Sequence, residues 1–169
     1  MQRLGLDAVW WLVTPGNPLK DPAEYAPLDE RLRLARKKAG HPHIIVSDFE
    51  RRQNLQFTVD TIERLQLLNP NVRFVWIMGA DSLANFHDWK DWRRIANQIP
   101  LAIFNRPGIG DKALTGCAAT ELALFRLAPN EASKLAETEP PAWVYFADLD
   151  NPSSSTAIRN AQQNSNGDA

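Results

Sequence analysis

The amino-acid sequence predicts an α/β protein: a doubly wound parallel sheet with helices on both faces. Three observations predict it. Five short apolar runs, rich in β-branched and aromatic residues, have the length of buried strands. Segments with helical periodicity or helix stop signals lie between them. The connections are short, and steady strand–helix alternation with short links is the pattern of a parallel sheet covered on both sides.

Residues 8–13 (AVWWLV) form the first run and read as a buried strand. The loop TPGNPLK follows, its course set by two prolines and a glycine. Residues 28–39 (LDERLRLARKKA) read as a basic amphipathic helix that Gly40 stops. Residues 43–46 (HIIV) are the second strand, and residues 47–57 a polar connection. A helix opens at Thr58, with Asp60 and Thr61 in its first turn, and ends before Asn69-Pro70. The central strand is FVWIM at 74–78, closed by Gly79-Ala80-Asp81 and a polar, aromatic segment. Residues 92–99 read as a helix stopped by Pro100, and 101–104 (LAIF) as the fourth strand. Residues 110–141 carry the weakest pattern, with one helix within 118–124. Residues 143–146 (WVYF) are the fifth strand, a helix starts within 153–160, and the tail 161–169 reads as disordered. Residues 1–160 are expected to form one domain, without an internal repeat.

Composition narrows the function classes. Hydrophobic content of 44% and charged content of 23% suit a chain that can bury a core. A formal net charge of −1 gives no electrostatic footprint for a nucleic-acid polymer or an anionic membrane. One cysteine, Cys117, leaves no intramolecular disulfide and reads as an inert thiol. No apolar run approaches the ~18 residues of a membrane helix, and the N-terminus has no signal-peptide core, so a cytoplasmic location is the expectation.

In a parallel sheet, ligands bind beyond the carboxyl ends of the strands. Four loops meet that condition. They carry Asn17 and Lys20; Thr58; Gly79, Asp81 and Trp89; and the run from Ser153 to Arg159. Hydroxyl residues at a helix start gather N–H and O–H donors where the helix dipole is positive, and Arg159 lies near the same face as Thr156. The same serines also suit simple N-capping, and Asp81 suits a capping turn.

TPGNPLK, FTVDTI, FVWIMGADSLANFHDWKDW and SSSTAIR, in this order and spacing, resemble the bacterial nicotinate-mononucleotide adenylyltransferase family. That family belongs to the nucleotidyltransferase α/β superfamily, with a Rossmann-like fold. The likeness runs from about residue 3 to residue 159, and its specificity lies in the joint match. It implies adenylyl transfer from ATP to nicotinate mononucleotide, giving nicotinate adenine dinucleotide and pyrophosphate, a step of NAD biosynthesis, with Mg²⁺ accompanying ATP. It also implies that Ser154, Ser155, Thr156 and Arg159 bind ATP phosphates, and that Gly79 and Asp81 belong to the nucleotide site. Trp89 is similar to the tryptophan that stacks on the pyridine ring, and Asn17, Lys20 and Thr58 would face nicotinate mononucleotide. Position 57 is Phe where the family often has Tyr. A pantetheine-phosphate adenylyltransferase is disfavoured by FHDWKDW.

The family opens with a strand, a GGSFDPxHxGH-type loop and a helix, roughly 20 residues that have no counterpart here. The first residues, MQRLGLD, look like the end of that helix, and His41-Pro42-His43 reads as loop and strand edge rather than as a substitute. No catalytic histidine pair and no metal ligand is therefore assigned in this chain. Residues 1–169 alone are expected to be poorly stable and to show little adenylyl transfer; a non-catalytic relative that retains mononucleotide binding is the alternative.

Overall fold

Parallel pairing organises every strand in the computed structural model, which describes residues 1–16 and 26–148. In chain order the regular elements are β1 (Val9–Leu12), α1 (Leu28–Lys38), β2 (Ile44–Ser47), α2 (Phe49–Gln53), α3 (Thr58–Leu68), β3 (Trp76–Gly79), α4 (Ala80–Ala84) and α5 (Trp92–Gln98). They continue with β4 (Leu101–Phe104), α6 (Gly110–Thr115), α7 (Cys117–Glu121), β5 (Arg126–Leu127) and β6 (Trp143–Phe146). Turns of 3-10 helix cover Gln2–Leu4, Phe86–Asp88, Ala123–Phe125 and Pro129–Glu137.

Among the described residues the strands form two sheets, not one. β1 pairs with β2, and β3, β4, β6 and β5 lie side by side in that order. Val9 stands opposite Ile44 in the small sheet. In the larger one, Gly79, Phe104 and Phe146 lie level at the carboxyl ends of three neighbouring strands.

Period-two alternation assigns the faces of the larger sheet. Met78, Leu101, Ile103, Trp143 and Tyr145 point to one side, where Val59, Ile62, Leu83, Phe86, Ile95 and Ala119 close over them. These come from α3, α4, α5, α7 and the 3-10 turn Phe86–Asp88. Ala102, Val144 and Phe146 point to the other side and meet Leu4, Ala132 and Leu135. The buried indole of Trp143 donates from Nε1 to the Leu122 carbonyl at 2.8 Å, so its polar atom carries no desolvation penalty. The small sheet is covered by α1, whose Leu32 and Ala35 pack on Val13, with Val46 beside them.

Several expectations need correcting. The connection at 47–57 contains α2, because Phe49 is buried and anchors it, while Asp48 salt-bridges Arg51 and Arg52 one turn on. Asn54, at φ 53°, ends it in the left-handed conformation. The weakly patterned region 110–141 holds α6, α7, β5 and a long 3-10 segment, so WVYF is the sixth strand. The strand at 8–13 is not fully buried: Trp10 and Trp11 are 38% and 41% exposed, and among the described residues no strand neighbours the β1 edge away from β2. The helix start at 153–160 and the tail 161–169 lie outside the described residues. Among the described residues, no helix is long and apolar enough to cross a membrane.

Candidate active site

The carboxyl ends of β3, β4 and β6 carry a set of polar side chains with defined partners. β3 stops at Gly79 and α4 begins at the next residue. Asp81 sits in the first turn of α4 and makes no capping hydrogen bond, so the capping role does not describe it. Its Oδ1 instead faces Arg106 Nε at 2.8 Å. Oδ1 is shut off from solvent and makes no aligned hydrogen bond, so the contact is an ion pair. The Asp81 side chain is nevertheless 45% exposed, which leaves Oδ2 as the outward oxygen. Gly79 permits the contact: a Cβ there would overlap Asp81 Oδ1 and lie 2.6 Å from Arg106 Nε.

The end of β4 links the rim laterally. Asn105 takes a backbone bond from its N–H to the Phe146 carbonyl at 3.0 Å. Its side-chain amide donates to the Ala147 carbonyl at 3.3 Å, and its Oδ1 accepts from the Tyr145 hydroxyl at 2.7 Å. Asn105 thus ties β4 to β6 while Arg106 ties it to the turn after β3. Beyond β6, Arg3 holds Asp148 through two bonds of 2.8 and 2.9 Å and lies over the Phe146 ring at 4.4 Å. The Arg3 guanidinium holds the Asp148 carboxyl below its ordinary value.

Trp89 follows the 3-10 turn and is half-buried. Its ring stands edge-on to Phe86, with centroids 5.4 Å apart, and Trp92 meets Phe86 from another side at 5.7 Å. Phe86 has 0% exposure, so Trp89 rests on a fixed support while part of its own surface stays open. Lys90 lies 4.3 Å over the Phe57 ring and 3.5 Å from Asp60. Phe57 is the residue before Thr58, so the start of α3 and the Trp89 segment are neighbours. The first N–H groups of α3 have no acceptor within their own helix.

The loop after β1 is gathered by one residue. Arg31 of α1 donates to the carbonyls of Thr14 at 2.6 Å, Pro15 at 2.9 Å and Ala26 at 2.8 Å. It therefore grips both stems of the segment that carries Asn17 and Lys20. Those two residues lie outside the described residues, as do Ser154, Ser155, Thr156 and Arg159. Of the residues singled out in the sequence, Gly79 and Asp81 meet at one turn, while Trp89 and Thr58 lie on adjoining segments.

Arg31, Asn105 and Arg106 escape a reading of the sequence alone. Arg31 looks like one more cation on a basic helix, and Arg106 like part of an Arg-Pro-Gly turn. The available signal is position: Asn105 and Arg106 directly follow a strand of the sheet. His43 precedes β2, with its ring 2.6 Å from the Asp7 carbonyl. Among the described residues no three His, Cys, Asp or Glu side chains converge on a metal site.

Known proteins are similar to this chain over nearly its whole sequence. The cytidylyltransferase-like family matches residues 1–161. A "Probable nicotinate-nucleotide adenylyltransferase" of Bradyrhizobium sp. (strain ORS 278) is 49% identical over 160 residues, 95% of this chain and 83% of the relative. Proteins of the same name from Brucella abortus (strain 2308) and Rhizobium meliloti (strain 1021) are 46% and 43% identical over 162 residues. Those matches cover 96% of this chain and 84% and 86% of the relatives. The chain therefore belongs to the cytidylyltransferase-like nucleotidyltransferases and, among them, to the bacterial nicotinate-nucleotide adenylyltransferase family.

Proposed function

We propose that this protein transfers the adenylyl group of ATP to nicotinate mononucleotide in the cytoplasm. The observation that carries the proposal is the identity with nicotinate-nucleotide adenylyltransferases across almost the whole chain. A phosphate oxygen of the mononucleotide forms a bond to the α-phosphorus of ATP. The bond from that phosphorus to the bridging oxygen breaks, and pyrophosphate leaves with the oxygen and the electron pair. Such transfers rest mainly on positioning and charge neutralisation, so no side-chain nucleophile is needed.

The geometry supports a division of labour along the rim. Asp81, turned by Arg106, offers Oδ2 to the nucleoside of ATP, and Gly79 keeps the approach open. Ser154, Ser155, Thr156 and Arg159 are assigned to the phosphates on the strength of the SSSTAIR motif. Trp89 offers an aromatic surface to the cationic pyridine ring, a contact worth on the order of 1 kcal/mol. Thr58, with Asn17 and Lys20, is assigned to the mononucleotide. Mg²⁺ enters as part of the substrate, bound to ATP phosphates and water as that ion commonly is.

The second reading, a nucleotide-binding relative without transfer chemistry, is favoured by one observation. Among the described residues, the loop after β1 and the turn after β3 sit on sheets that are not paired with each other. One preparation separates the two readings. Nicotinate mononucleotide and ATP are titrated by calorimetry, and formation of nicotinate adenine dinucleotide is followed by chromatography. Dinucleotide formation supports transfer; mononucleotide binding without product supports the second reading. Trp89→Ala should weaken mononucleotide binding about fivefold and leave ATP binding unchanged. Failure of both nucleotides to bind would overturn both readings.

A further inference from the structure

We infer that Asn105 is a positioning residue for ATP. Through the Tyr145 hydroxyl and the Ala147 carbonyl it holds the chain leaving β6 at a fixed place beside the Asp81–Arg106 pair. The inference deepens the adenylyl-transfer reading and rests on it. β4 lies between β3 and β6, and the last paired level of the three is Gly79, Phe104 and Phe146. The next two residues after β4 turn to opposite neighbours. Arg106 reaches Asp81, after β3, at 2.8 Å. Asn105 reaches β6: its N–H donates to the Phe146 carbonyl at 3.0 Å, and its Nδ2 donates to the Ala147 carbonyl at 3.3 Å. One residue thus holds two successive carbonyls of the departing chain.

The partners fix the orientation of the Asn105 amide. Only Nδ2 can donate to the Ala147 carbonyl, so Oδ1 faces the Tyr145 hydroxyl, which donates to it at 2.7 Å. Tyr145 is buried and stands opposite Ile103 in the ladder, so its ring cannot follow a moving Asn105. Gly110, the first residue of α6, closes the third side. A Cβ there would lie 2.9 Å from both Asn105 Oδ1 and the Tyr145 hydroxyl oxygen, so glycine lets α6 start against this bond. β4, β6 and α6 therefore converge on one hydrogen bond. What such rigidity sets is a separation. Neighbouring strands run about 4.8 Å apart, so the ends of β3 and β6 stand about 10 Å apart with β4 between them. On the adenylyl-transfer reading, one ATP molecule meets Asp81 after β3 and the SSSTAIR motif after β6 at once. A two-part site binds one ligand well only when its parts are held at the ligand's own spacing. Asn105 and Arg106, adjacent in sequence, hold both parts from the strand between them.

A double-mutant cycle on ATP binding tests it, with nicotinate mononucleotide titrated beside ATP by calorimetry. Asn105→Ala should weaken ATP binding about tenfold, the scale of hydrogen bonds in a network, and leave the mononucleotide within about twofold. Tyr145→Phe should weaken ATP binding about threefold. The double variant should bind no more weakly than Asn105→Ala, because the hydroxyl acts only through Asn105. Gly110→Ala should reproduce the ATP-selective loss without removing a polar atom. Asn105→Asp keeps an acceptor for Tyr145 but sets an oxygen against the Ala147 carbonyl, so it should not restore binding. Should Asn105→Ala fail to fold, the Tyr145→Phe and Gly110→Ala titrations decide alone. Four results overturn the inference: unchanged ATP affinity in the variants, equal losses for both nucleotides, additive effects in the double variant, or full ATP binding by Asn105→Asp. In each of these the wild-type protein still binds ATP, so the adenylyl-transfer reading survives. A wild-type protein that binds no ATP overturns both.

Discussion

Arg106 Nε stands 2.8 Å from Asp81 Oδ1, and the two side chains meet above the bare α-carbon of Gly79. Half-exposed ion pairs add little stability. The value of this one lies in orientation, since burying one carboxylate oxygen leaves the other to face a ligand. Arg106→Ala should therefore weaken ATP binding about tenfold, with mononucleotide binding and thermal midpoint nearly unchanged. Equal loss for both nucleotides would show that Arg106 merely supports the fold. Gly79→Ala should act on the same ligand and also cost about 1–3 kcal/mol in urea unfolding, because the added methyl displaces both side chains.

Arg31 makes an independent prediction at the other side of the rim. Its three bonds to the Thr14, Pro15 and Ala26 carbonyls close the stems of the segment from 17 to 25. Arg31→Ala should weaken mononucleotide binding about tenfold, the scale of one charge-assisted hydrogen bond. ATP binding should hold. Arg31→Lys cannot reproduce a planar fork on three acceptors, so rescue by lysine would contradict this account.

Phe86 supports Trp89 from below and is fully buried between two tryptophan rings. Phe86→Ala should destabilise the chain by about 3–5 kcal/mol, the usual cost of emptying an aromatic site. Urea denaturation measures it. A change below about 1 kcal/mol would mean that the Trp89 segment collapses into the space and is not rigidly supported.

Acid should weaken the fold through three exposed pairs. Hydrogen bonds from Arg51, Arg93 and Arg3 hold Asp48, Glu121 and Asp148 below their ordinary values. A depressed carboxylate favours folding above its unfolded value, and that contribution is lost as pH falls through the depressed folded value. Stability should thus rise with pH across the acid range and flatten above the ordinary carboxylate range. Asp148→Asn should reduce that slope, and salt should reduce it further. An unchanged acid-side slope in Asp148→Asn would show that the Arg3 contact does not persist in solution.

Local chemistry alone determines much of this molecule. LAIF and WVYF are strands at the predicted residues, and the helix from Thr58 to Leu68 stops where Asn69-Pro70 says it must. Such elements are legible because apolar periodicity, proline and glycine act within a few residues. Gly79, Asp81 and Trp89 are legible as neighbours for the same reason, lying on one contiguous stretch.

Tertiary structure decides what distant residues do to one another. α2 and β5 are too short to carry a period, and their places depend on Phe49 finding the core and on Arg126–Leu127 finding β6. Arg31, Asn105 and Arg106 acquire their partners only when helix and strand ends are brought side by side. The division of the strands into two sheets is also invisible in the runs themselves. AVWWLV and FVWIM look equally buried, because pattern records how apolar a strand is and not whether a neighbour occupies its edge.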